Sequence, residues 1–173
     1  MRFLLVFLIA VTTLSCATVK VDYDYDSAAN FNNYKSYNYY ADMKTGFSEL
    51  DTNRLLDAID STMTAKGFYI ADSPDFFIDI KSEAFQAPPR QTVGVGVGGG
   101  GGHVGGGISI GIPVGDSNFN RVITIDFVDE NKKQLFWQAV AETSLKLNST
   151  PDQREAKMQA VAKKVLAAYP PEL

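Results

Sequence analysis

The run Ile123-Thr124-Ile125-Asp126-Phe127-Val128-Asp129-Glu130-Asn131-Lys132-Lys133, with the return Leu135-Phe136-Trp137-Gln138-Ala139-Val140-Ala141, decides the fold. Ile123, Ile125 and Phe127 alternate with Thr124 and Asp126, a period of two that sends apolar side chains to one face of a strand. The polar stretch Asp129 to Lys133 turns the chain, and the return strand is predicted to place Leu135, Trp137, Ala139, Ala141, Leu145 and Leu147 on one face. A hairpin apolar on one side only needs a second layer to cover it.

Working outward, the covering layer is legible on both sides. Thr150-Pro151-Asp152-Gln153 reads as a helix start, with threonine at the cap, proline at the first position and glutamine set to complete a capping box. Met158, Val161, Ala162, Val165, Leu166 and Tyr169 follow as a buried stripe, and Pro170-Pro171 ends it. Towards the N-terminus, Ser48-Glu49-Leu50-Asp51 caps a second amphipathic helix. Its apolar positions are Leu55, Leu56, Ile59 and Met63, its exposed ones include Arg54, Asp57, Asp60 and Thr64, and Lys66-Gly67 stops it.

Further strands are read at Val19 to Asp26, Tyr34 to Tyr40, Tyr69-Ile70 and Asp75 to Phe85, where Phe76, Ile78 and Ile80 face opposite to Asp79, Lys81 and Glu83. The aspartates at 22, 24 and 26 open like a calcium loop, but Ser27 stands where glycine is needed and Asn33 where the bidentate glutamate belongs, so they read as a solvated strand face. Six of the eight tyrosines fall between residues 23 and 40, as expected of cross-strand pairs. The expectation is an α+β two-layer sandwich, β-β-α-β-β-β-β-α, an antiparallel-rich sheet with two helices on one face and a glycine-rich hairpin insertion.

That insertion holds twelve of the fourteen glycines, between Gly94 and Gly115. Val93, Val95 and Val97 on one side and Ile108, Ile110, Ile112 and Val114 on the other alternate with small residues, as two arms of a β-hairpin with its tip near Gly99 to Gly107 or, equally, as a loose glycine-rich insertion. Gly94, Gly96 and Gly99 satisfy a nucleotide-loop spacing, but no helix pattern follows to aim backbone donors at a phosphate, so no nucleotide is expected. His103 at the tip has no acid or cysteine beside it and reads as a solvated loop residue. Gly94, Val95, Val97, His103, Ile108 and Ile110 are the candidate interaction residues.

The first fifteen residues read as an export signal: Arg2, then the apolar run Phe3 to Val11, then a short polar step. At about 1.5 Å per residue that run spans only half of a roughly 30 Å hydrocarbon layer. Leu14-Ser15-Cys16-Ala17 resembles the lipobox of bacterial lipoproteins, with Leu14 one place closer to the cysteine than is usual. The resemblance implies acylation of Cys16, so that residues 1–15 are a lipoprotein signal peptide and residues 16–173 one lipid-anchored domain; Ala17, where aspartate would retain the protein in the inner membrane, points to the outer membrane.

Charge excludes other classes. Sixteen basic residues against twenty acidic ones leave a net charge of −4, with no cationic stripe for nucleic acid. One cysteine and one histidine exclude a structural zinc site, a disulfide framework and a cysteine–histidine nucleophile pair. No cofactor and no metal are expected.

Val21-Asp22-Tyr23-Asp24, Phe31-Asn32-Asn33-Tyr34-Lys35-Ser36-Tyr37, Leu56-Asp57-Ala58-Ile59-Asp60 to Lys66-Gly67-Phe68, Pro74-Asp75-Phe76, Ile123 to Asp129, Val165-Leu166 and Pro170-Pro171 together resemble the bacterial lipoproteins catalogued as domain of unknown function 4136. The resemblance spans nearly the whole mature chain and implies no activity. The functional expectation is therefore a non-enzymatic, lipid-anchored protein of the cell envelope. It is a structural or interaction module whose partners are the membrane and an envelope protein. The alternatives are a carrier of an apolar ligand, which needs an apolar cavity, and a hydrolase built on acids such as Asp79 and Asp126, which needs two carboxylates at working separation.

Overall fold

A computed structural model describes residues 19–86, 92–93, 112–113, 118–146 and 148–171. Eight strands form: β1 Lys20–Tyr25, β2 Ser36–Tyr39, β3 Tyr69–Ile70, β4 Phe76–Gln86, β5 Thr92–Val93, β6 Ile112–Pro113, β7 Asn118–Asp129 and β8 Leu135–Lys146. Two helices accompany them, α1 Glu49–Ala65 and α2 Pro151–Val165. Six strands make one sheet in the order β1-β8-β7-β4-β2-β3, while β5 and β6 pair only with each other. The architecture is the α+β sandwich that the alternation predicts.

Both helices form for the local reasons legible in their sequences. The Ser48 hydroxyl accepts from Asp51 N at 3.3 Å, and at the other end Gly67 takes φ 87°, the left-handed turn that ends a helix. Thr150 and Gln153 complete the capping box reciprocally, at 3.3 and 3.1 Å. The stripes Leu55, Ile59 and Met63 and Met158, Val161, Ala162 and Val165 are buried against Phe76, Ile78, Ile80, Ile123, Ile125, Phe127, Trp137, Ala139 and Ala141.

Four strands, β1-β8-β7-β4, are antiparallel, but β2 lies parallel to both β4 and β3. A parallel neighbour needs a crossover of a dozen or more residues, and the 17 residues of α1 supply it. Residues 71–75 then carry the chain from β3 on one side of β2 to β4 on the other. Asp75 holds that crossing: its Oδ2 accepts from Lys35 N, Ser36 N and Ser36 Oγ at 2.8, 2.8 and 2.9 Å.

One sequence expectation is corrected. Leu135 was expected on the apolar face, yet it is 48% exposed while Phe136 is buried. Phe127 pairs with Trp137 and Val128 with Leu135, so Phe136 is the extra residue of a β-bulge. The bulge reverses the strand's alternation there and seats Phe136 on the Tyr34 ring, centroids 4.0 Å apart. Leu147, expected on the same face, lies outside the described residues.

The glycine-rich insertion begins after β4 and returns at β7. Thr92 pairs with Pro113 and Val93 with Ile112, antiparallel, as the base of the expected hairpin requires. Gly94, Val95, Val97, His103, Ile108 and Ile110, and its expected tip, lie outside the described residues, as does Cys16.

Candidate functional site

The densest polar arrangement joins five elements at the end of the sheet where β1 begins. It starts with the loop between β2 and α1. Gly46 takes φ 72°, and a Cβ there would collide with the Ser82 carbonyl oxygen of β4, so only glycine allows this approach. Ser82 Oγ donates to Thr45 O at 2.6 Å. Arg121 of β7 then clamps the loop: its Nη1 donates to Gly46 O at 2.8 Å and to Ser82 Oγ at 2.6 Å, with the guanidinium 4.4 Å from the Phe47 ring centroid. Burial draws the Arg121 guanidinium below its ordinary value, and attraction to Asp51 opposes that.

Asp51 is the centre of the second half. Expected only as part of an acidic first turn, it is 6% exposed and binds two guanidinia. Arg54 Nη1 donates to Oδ1 at 2.8 Å and Arg154 Nη1 to Oδ2 at 2.7 Å. Arg154 comes from the first turn of α2, so this carboxylate ties the N-termini of both helices together. Arg54, expected exposed, is turned inward for the same reason; its side chain is 21% exposed. Donors and acceptors are matched at hydrogen-bond distance, the arrangement of a structural clamp. No local sequence signal reveals it, because Asp51 and Arg154 are 103 positions apart.

Two further polar groups bear on the alternatives. On the sheet face opposite the helices, Asp79 of β4 stands opposite Asp126 of β7. Lys81 Nζ lies 2.6 Å from Asp79 and 3.9 Å from Asp126, and Gln138 Nε2 donates to Asp126 Oδ1 at 2.6 Å. The hydrogen bond to Asp79 raises the Lys81 ammonium above its ordinary value, so it stays charged between the two acids. Each carboxylate thus has a partner of its own. On the helical face, a groove of about 270 Å³ between α1 and α2 is lined by Arg54, Asp57, Ala58, Ser61, Glu155 and Lys163 among others.

Tyrosines expected as cross-strand pairs divide their tasks. Tyr37 and Tyr39 both donate to Asp60 Oδ1 of α1, at 2.8 and 2.6 Å, so Asp60 is not the solvated residue that the helix pattern suggests. Tyr34 donates to the buried Asp129 at 2.8 Å. Tyr40 stacks on Phe77, centroids 4.9 Å apart. Asp22, first of the three alternating aspartates, is exposed and pairs with Lys20 at 3.5 Å. Among the described residues no group of three or more potential metal ligands converges, and no helix is long and apolar enough to cross a membrane.

Comparison with known proteins gives a family and a fold. A sequence family described as a domain of unknown function, DUF4136, matches residues 21–171. No curated protein matches the chain. Among solved structures, a PDZ domain protein from Parabacteroides distasonis aligns with a TM-score of 0.55 at 13% identity, over 98% of this chain and 40% of that one. The chain therefore spans less than half the length of that structure, and at this identity the likeness is one of fold. A PelC dodecamer from Paraburkholderia phytofirmans gives 0.47 at 13% identity, over 87% of this chain and 96% of that one. A minor lipoprotein from Acinetobacter baumannii gives 0.38 at 10% identity, over 77% and 88%.

Proposed function

Because the chain belongs to the DUF4136 family, whose description carries no activity, we propose a role drawn from its own residues: a non-enzymatic, lipid-anchored envelope protein with Cys16 as the acylated mature N-terminus. The domain is held on the periplasmic side of the outer membrane and acts as a structural or interaction module. The observation that carries this reading is the position of the sole cysteine. It follows an apolar run and a small residue, and only Ala17 and Thr18 separate it from Val19, which is buried and is the first of the described residues. The described strands and helices begin at Lys20, so cleavage ahead of Cys16 removes none of them. Acylation also protects a lone thiol in an oxidising compartment. Two or three acyl chains anchor firmly where one would be marginal.

The test is metabolic labelling with palmitate, followed by membrane fractionation, of the wild-type chain and Cys16→Ala. Label and membrane association are expected in the first and lost in the second. Equal membrane association without label would refute the reading.

A further inference from the structure

The geometry points to the end of the sheet where β1 begins as a bilayer-contact surface, and we propose that Leu50 and Phe85 there enter the lipid interface. The inference rests on the acylation of Cys16. Lys20 pairs with Glu142, Glu142 with Val122, and Val122 with Glu83, so the first residue of β1 is level with Glu83 of β4. Four positions separate Cys16 from Lys20, a reach of at most about 14 Å. Phe76, at the opposite end of β4, is seven residues from Glu83, or about 23 Å. An anchored Cys16 therefore always holds the β1 end near the lipid, whereas the far end reaches it only if the sheet lies flat.

What this end presents suits an interface. Phe85 is 44% exposed, two residues beyond the level of Lys20 and away from the rest of β1. Leu50, in the first turn of α1, is 66% exposed. The clamp at Ser82, Arg121 and Asp51 fixes this turn at the same end, because the loop before it is hydrogen-bonded to β4 and β7. Gln86 and Phe119, where the chain leaves for the insertion and comes back, are paired at this end as well. Exposed apolar side chains alone would not choose it, since Tyr69, Ile70 and Leu135 are exposed at the other. The reach of the anchor decides. Charge does not drive the contact: Glu142 pairs with Lys20, Glu83 stands at the same level on β4 and Glu49 opens α1 at this end, so the docking is apolar and needs no anionic lipid.

Acylation leaves any introduced cysteine as the sole free thiol, which makes the experiment direct. Leu50→Cys, Phe85→Cys, Tyr69→Cys and Leu135→Cys, all at exposed positions, are labelled with a fluorophore in the lipidated full chain. They are then reconstituted into phosphatidylcholine vesicles carrying a lipid-borne quencher, with and without phosphatidylglycerol. Probes at 50 and 85 are expected to lose at least about half their emission in both vesicles, and those at 69 and 135 little. Protein that floats with the vesicles but shows equal quenching at all four sites, stronger quenching at 69 and 135, or quenching only with phosphatidylglycerol overturns the docking and leaves the anchor standing. Protein that does not float overturns the anchor, and the docking with it.

Discussion

Tyr34 and Tyr169 carry the same phenol into the same aromatic core, and their hydroxyls meet different surroundings. Tyr34 donates to buried Asp129, whereas the Tyr169 hydroxyl is buried with no partner among the described residues. Tyr34→Phe is expected to cost about 1–3 kcal/mol, because Asp129 loses a donor it cannot replace from water, while Tyr169→Phe is neutral or stabilising. Urea unfolding of both variants checks this; a larger loss for Tyr169→Phe contradicts it. Acid sensitivity belongs to the same scale. Burial opposes ionisation of Asp75 and Asp129, but hydrogen bonds from Lys35 and Ser36 to the first and from Lys132 and Tyr34 to the second outweigh it, holding both below the ordinary 3.8. A depressed value favours the ionised form in the fold. Their stabilisation is therefore complete above about pH 4 and lost as pH falls through that value towards the folded ones. Unfolding midpoints measured from pH 7 to 3 should fall at the acid end for the wild type and change less there for Asp75→Asn and Asp129→Asn.

Among the elements, those governed by local periodicity were readable from sequence and those fixed by distant partners were not. The capping box of α2, the stripes of both helices and the alternation of β4 and β7 are short-range patterns, and each stands where the spacing puts it. The bulge in β8 was hidden because Leu135-Phe136-Trp137 is a run of three apolar residues, which alternation cannot phase. The parallel seat of β2 depends on where α1 delivers the chain, and the clamp on Asp51 depends on a partner in the last helix. Two predictions belong here. Phe136→Ala should cost about 3–5 kcal/mol and Leu135→Ala within about 1 kcal/mol, the reverse of what the plain alternation implies. Asp51→Ala should cost about 2–3 kcal/mol through the loss of two charge-assisted hydrogen bonds, one within α1 to Arg54 and one across to Arg154 of α2. Coupling between Asp51 and Arg154 in a double-mutant cycle would locate that cost at the helix junction, and additive losses would not.

For the whole molecule, one geometric fact organises the account. The start of β1, the N-termini of both helices and the two roots of the glycine-rich insertion share one end of the sheet, and in sequence the only cysteine stands four positions before β1. Fold class was legible because strand alternation and helix spacing are both local; which termini and loops share one end of the sheet was not, since that follows from strand register. The lipid at Cys16 is the claim from which the rest descends. Intact mass of the N-terminal peptide from membrane-purified protein tests it most directly. A peptide that begins at Cys16 and carries the mass of a diacylglycerol is the expected result, and one that begins at Met1 or Ala17 without acyl mass would contradict the account.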